Sequence, residues 1–197
     1  FITNNCFEPC IHHKIYEEFC GRVQDFAQAI VAGNPLDKET YLGPLTRKEQ
    51  IKVLERQIAD ATSKGARLLC GGKPMSQMAG HYFEPTVVVD ANHQMEIMKE
   101  ESFGPVIGIM KVDSDQQALE LMNDTTYGLT AGVFSKDRLR AEKMMKDLHA
   151  GSVYWNCCDR VSPHLPWSGR KRSGIGLTLS TLGIDTFMNP KAYHWRG

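Results

Sequence analysis

An α/β fold, built on a largely parallel open sheet with flanking helices, is predicted by two features of this sequence. Short β-rich runs alternate with amphipathic helical stretches along much of its length. With 197 residues, 42% apolar and 23% charged, the chain is also long enough to bury one sizeable core without disulfide or metal support.

The elements follow in order. Ile15, Phe19, Val23, Phe26 and Ile30 recur at helical spacing and predict a helix from Ile15 to Val31, which Gly33-Asn34-Pro35 stops. Thr46 reads as an N-cap with Glu49 completing a capping box, and Ile51, Val53, Leu54, Ile58 and Ala61 stripe a second helix that ends near Lys64-Gly65. Arg67 to Cys70 and Thr86 to Val89 read as strands on either side of a turn-rich loop from Gly71-Gly72 through Gly80. Val106 to Val112 is β-rich, Asp115 to Met122 helical, Ala131 to Phe134 a strand, Lys136 to Leu148 helical and Gly151 to Trp155 a strand. Asn156 to Arg172 is a long irregular segment with Pro163, Pro166 and Gly169, and segments of that length beyond strand ends line sites in open α/β sheets. A short helix from Gly176 to Leu182 and a strand near Thr186 to Lys191 complete the pattern, with no repeat and no internal linker.

Lysine plus arginine equal aspartate plus glutamate at 23 each, so no net field draws the chain to nucleic acid, a membrane surface or a polyanion. The expected partners are small molecules or other subunits. No run of about 18 apolar residues exists, and the first residues lack a basic flank and an apolar core, so a cytosolic location is expected. The six cysteines are irregularly spaced with no CxxC pair, which suits a reducing compartment. Cys157, Cys158 and His164 make a poor ligand set because adjacent cysteines seldom reach one ion; no metal is expected. A redox role for Cys157-Cys158 is disfavoured by the strain of a vicinal disulfide.

Five segments, in one order and spacing, resemble the aldehyde dehydrogenase family: GNPLDKETYLGPLTRKE at 33–49, GHYFEPTVVVD at 80–90, IMKEESFGPV at 97–106, NDTTYGLTAGVF at 123–134, and AGSVYWN, LPWSG and SGIG within 150–176. The resemblance implies a cysteine-bearing catalytic domain over 1–182 and a tail, 183–197, whose strand joins an intersubunit sheet in a dimer or tetramer. It implies oxidation of an aldehyde to an acid, with NAD or NADP as cofactor, by a cysteine thiolate that attacks the carbonyl; a thiol serves because its pKa of about 8.5 is readily lowered. Of the family's nicotinamide contacts, the glutamate that reaches the ribose maps to Glu101 and the phenylalanine beside the ring to Phe103. Pattern alone reads Glu101 as a helix-end carboxylate and Phe103 as a core aromatic.

Val161 and Trp167 fall where the family places substrate-pocket side chains, the alternative for Trp167 being a cap on the core. Cys6 is the candidate nucleophile, although Asn4-Asn5 replace the usual Gly-Gln step and the gap to Ile11 is about three residues short of the family pattern. The family's NAD-binding domain, general-base glutamate and oxyanion-binding asparagine lie N-terminal to the matching region, so the isolated chain is expected to be inactive. A non-catalytic assembly module that keeps the scaffold is the competing function. Val161 and Trp167 favour an apolar or aromatic aldehyde while Arg160 and His164 suit an acid group, and semialdehydes and betaine aldehyde stay open.

Overall fold

The computed structural model describes residues 2–4, 8–157 and 160–197, with the backbone alone for 2–4 and Glu8. The chain forms two compact units, Phe1–Thr125 and Thr126–Gly197.

In the first unit β1 (Ile2–Asn4) and β2 (Glu8–His12) pair antiparallel, and α1 (Tyr16–Ala29) follows. After a long connection come α2 (Glu49–Ser63), β3 (Arg67–Cys70) and β4 (Thr86–Val89), the last two antiparallel neighbours. The extended run from Val106 to Val112 serves twice: as β5 (Val106–Gly108) it lies parallel to β4, and as β6 (Met110–Val112) parallel to β2. That run joins the sheets. α3 (Asp115–Asn123), capped by the Ser114 hydroxyl, then packs on β2 and β6.

β4 is buried on both faces, with no exposed residue, whereas β3 exposes Arg67 and Leu68 and β6 exposes Lys111. On one face Ile11, Val87, Val89 and Ile109 pack against Tyr16, Cys20 and Ala27 of α1. On the other, Ile97 and Met98 of a 3₁₀ turn (Glu96–Met98) press so closely on Gly108 that a Cβ there would lie 2.5 Å from the Met98 sulfur.

The buried stripe of α1 is displaced from the expected one. Tyr16, Cys20 and Ala27 point inward with Phe19 and Val23 at the edge, whereas Ile15 is 43% and Phe26 61% exposed. The reason is polar. The Tyr16 hydroxyl accepts the Asp90 backbone N–H at 2.7 Å and donates to Asp90 Oδ1 at 3.1 Å, pinning a residue with φ of 56° at the end of β4. Arg67 Nε reaches Asp90 Oδ2 at 2.7 Å, and Lys111 Nζ sits 4.4 Å from the Tyr16 ring centroid. Phe26 instead meets the Tyr41 ring edge-on.

In the second unit β7 (Thr130–Val133), α4 (Arg138–Asp147) and β8 (Ser152–Trp155) form a βαβ crossover with the strands parallel. A two-residue antiparallel ribbon follows, β9 (Trp167–Ser168) with β10 (Leu177–Thr178), and then α5 (Ser180–Asp185).

Other expectations are corrected. α2 begins at Glu49 behind Lys48, with no side-chain cap, rather than at a Thr46 box, because the residue that matters in its first turn is Gln50, which turns inward. The last helix is shifted from Gly176–Leu182 to Ser180–Asp185, since Leu177 and Thr178 are taken by β9. Among the described residues, the strand expected near Thr186–Lys191 is not formed in the single chain: the Phe187 and Met188 N–H groups close a turn onto the Ile184 and Asp185 carbonyls.

Tyr16→Phe strands the Asp90 N–H and should lower unfolding free energy by about 1–3 kcal/mol in urea titration. Burial works against the Asp90 charge, but Arg67 and the Tyr16 hydroxyl, with Lys111, hold its carboxyl below the ordinary range. Its contribution is therefore complete above the unfolded carboxylate pKa of about 3.9 and disappears as pH falls through the lower folded value. Asp90→Asn should accordingly show a shallower loss of stability between neutral and acid pH than the parent chain.

Candidate functional site

The segment from Gln94 to Pro105 is irregular apart from the 3₁₀ turn, and α2 fixes it residue by residue. Lys64 Nζ donates to the Gln94 carbonyl at 2.7 Å, Asp60 Oδ2 accepts the Glu96 N–H at 2.8 Å and Arg56 pairs with the Glu96 carboxylate at 2.8 Å. Deeper in, Gln57 Nε2 lies 3.5 Å from the Glu100 carbonyl, and Gln50 Nε2 donates to the Ser102 carbonyl. Gly104 rests on Leu54, whose Cδ1 would be 2.6 Å from a Cβ at that position. Pro105 then hands the chain to the sheet, its carbonyl accepting the Thr86 N–H at 2.8 Å.

Glu101 and Phe103 stand on this pinned loop. Glu101 is exposed, and Phe103 is 70% exposed with φ of 42°. Phe103 is therefore no core aromatic. A bulky residue in the left-handed region costs about 1–3 kcal/mol and persists only where its neighbours over-determine it, a condition that clusters at functional sites. An exposed carboxylate two residues from an exposed, strained ring offers hydrogen-bond acceptors and a flat apolar face together.

Gly71 and Gly72, both at positive φ after β3, do not form a phosphate turn: Thr86 Oγ1 already takes the Gly72 N–H at 2.9 Å, and no helix follows.

In the second unit the irregular segment leaves β8 through Asn156, at φ of 51°. The Asn156 amide grips Ser135 twice, accepting its N–H at 2.9 Å and donating to its carbonyl at 3.0 Å, while the Trp155 indole N–H donates to the same carbonyl at 3.0 Å. An asparagine tolerates this conformation at a strand end, so it sets the direction in which the loop departs. Val161 is 56% exposed on that loop, and Trp167, half-buried, is held in the β9–β10 ribbon. The ribbon crosses Gly151 at backbone distance: a Cβ there would fall 1.5 Å from the Ser168 carbonyl oxygen.

Cys6 and Cys158 lie outside the described residues. Among the described thiols, Cys10 and Cys20 are buried, and Cys70 and Cys157 half-buried. Burial pushes the Cys20 and Cys70 thiols up, away from the thiolate form that nucleophilic attack needs. Glu101 and Phe103 are thus brought together in one unit, and Val161 and Trp167 share a loop of the other. Gln50, Gln57 and Asn156 were missed by sequence reasoning; only Asn156, an asparagine following a strand, carried a usable signal.

A family model described as the aldehyde dehydrogenase family matches residues 6–193. The chain is 41% identical over 182 residues to the chloroplastic betaine aldehyde dehydrogenase of Atriplex hortensis and 40% identical to the peroxisomal aminoaldehyde dehydrogenase 2 of Malus domestica, in each case over 92% of this chain and 36% of the relative. It spans about a third of the length of those curated relatives. Among solved structures, a Staphylococcus aureus betaine aldehyde dehydrogenase in complex with NAD⁺ superposes with a TM-score of 0.85 at 31% identity, covering 96% of this chain and 40% of that one. The protein Gox0499 gives 0.88 at 38% identity, over 94% and 40%. Among the described residues no helix is long and apolar enough to cross a membrane.

Gly151→Ala should force the Trp167 ribbon outward and cost about 1–3 kcal/mol by overpacking, read by thermal unfolding together with a shift in tryptophan emission.

Proposed function

Because the chain belongs to the aldehyde dehydrogenase family, we propose that it is the C-terminal, cysteine-bearing part of an NAD(P)-dependent enzyme that oxidises an aldehyde to a carboxylic acid. The observation that carries this reading is the pinned loop with Glu101 and Phe103 both exposed. Such a loop fits the nicotinamide end of a dinucleotide: the carboxylate accepts from the two ribose hydroxyls, and the ring lies beside the flat heterocycle. When bound, NAD(P)⁺ supplies the hydride acceptor.

The proposed chemistry on this chain begins with the Cys6 thiolate. Its sulfur forms a bond to the aldehyde carbon, pushing the carbonyl π pair onto oxygen to give a thiohemiacetal alkoxide. As that oxygen reforms its double bond to carbon, the carbon's hydride departs to the acceptor and a thioester is left. Water then adds and the carbon–sulfur bond breaks, releasing the acid and one proton and regenerating the thiolate. Val161 and Trp167 line the substrate side. The relatives are named for betaine aldehyde and aminoaldehydes, both bearing a cationic nitrogen, and an aromatic face such as that of Trp167 attracts such a group by about 0.5–2 kcal/mol.

The tail 183–197 is proposed to complete a homo-oligomer. Phe187 and Trp195 are 89% and 86% exposed, and Met188 and Tyr193 follow them, an apolar series that favours cover by another subunit. This also supports the second reading, an assembly module without catalysis. The irregular cysteine spacing without a CxxC pair supports a reducing compartment such as the cytosol, whereas the relatives' names specify chloroplast and peroxisome.

The test is NAD(P)H formation by the full-length polypeptide containing residues 1–197, with betaine aldehyde, aminoaldehydes and a neutral aliphatic aldehyde. Glu101→Gln should raise KM for the cofactor about tenfold, and Cys6→Ser should lower kcat by about a thousandfold or more. Residues 1–197 alone should turn over little. Absence of turnover in the full-length protein, with normal assembly, leaves the second reading; full activity in Cys6→Ser removes that residue from the mechanism.

A further inference from the structure

We propose that Gln50 and Gln57 are positioning residues, whose amides grip the peptide backbone on either side of Glu101 and thereby set where this carboxylate and the Phe103 ring stand. The proposal rests on the reading of Glu101 and Phe103 as the nicotinamide end of the site.

The two glutamines are seven residues apart on α2, two turns, so they share a face of the helix. Both are buried, Gln50 at 7% and Gln57 at 0% exposure. Polar side chains at such positions are unfavourable unless their hydrogen bonds are made. Gln50 donates to the carbonyl of Ser102 and Gln57 reaches that of Glu100, so the pair brackets the residue between them. Glu101 itself is left free to face outward.

Gln57 is poorly served as a structural residue. Its contact with Glu100 is long, at 3.5 Å, and its Oε1 is buried with no hydrogen-bond partner among the described residues. A methionine of the same length would fill the space without stranding a polar atom, so stability alone selects against the amide. The group that the amide does reach is the carbonyl preceding Glu101. A buried side chain that opposes stability while touching the candidate site is the pattern of a residue kept for function.

Gln57→Met and the Gln50→Met/Gln57→Met double variant test this with two readouts. In the 197-residue chain, amide hydrogen exchange of the segment from Glu100 to Phe103 should quicken about tenfold in the double variant while α1 and β4 exchange as before, and Gln57→Met should melt at the parent temperature or higher. In the full-length enzyme the double variant should raise KM for NAD⁺ about tenfold with KM for the aldehyde unchanged. Unchanged exchange in the loop, or an unchanged KM for NAD⁺ in an active enzyme, would overturn the proposal. So would a Gln57→Met chain that fails to fold, since the amide would then serve the core. If the full-length parent shows no NAD⁺-dependent turnover, the assigned function fails, and the exchange measurement alone still decides whether the glutamines hold the loop.

Discussion

A loop that contains a left-handed phenylalanine cannot hold its own shape, and the architecture of the first unit is arranged around supplying that hold from outside. As the segment advances from Gln94 to Ser102, its hydrogen-bond partners along α2 retreat from Lys64 through Asp60 and Gln57 to Gln50. The helix and the loop therefore lie side by side in opposite directions, joined mainly through the loop's backbone. The exposed ion pair of Arg56 with Glu96 adds little. The contacts of Gln50 and Gln57 matter more, because a buried polar side chain that loses its partner is left with the full cost of its desolvation.

The second unit solves a similar problem with different means. Its irregular segment is fixed at one end by the Asn156 amide on Ser135 and at the other by the β9–β10 ribbon, seated on a glycine that offers no side chain to keep it away. Between those anchors the chain carries Val161 on its surface. Polar capture of backbone at one end and close backbone approach at the other leave the side chains free to be chosen for chemistry.

Much of this was legible in the sequence. β3 and β4 fall where β-branched and apolar runs bounded by glycine and proline placed them, and the doubly used run Val106–Val112 was read as one extended stretch. Glu101 and Phe103 were found because their motif is distinctive, not because their chemistry is. The α1 stripe was misjudged because periodicity ranks hydrophobicity, while the helix turns to satisfy the Tyr16 hydroxyl. Thr46 failed as a cap because a local pattern competes with the inward demand of Gln50. Gln57 was invisible, since a glutamine on a helix reads as solvated surface until a loop folds over it. The final strand could not be judged from one chain, because a strand is a relation between two segments.

The shared strand has a consequence for how this scaffold can vary. Side chains from Val106 to Val112 face alternate sides of a sheet that continues through β4 in one half and β2 in the other. A single inserted or deleted residue between Pro105 and Met110 would reverse the facing of everything downstream, so that the register with β4 and the register with β2 could no longer both hold. Length is consequently frozen here, and tolerance for insertion is displaced to the exposed turn at 76–80 in the connection between β3 and β4. The Phe103 loop thus hands over, at Pro105, to a strand whose length two sheets hold in common.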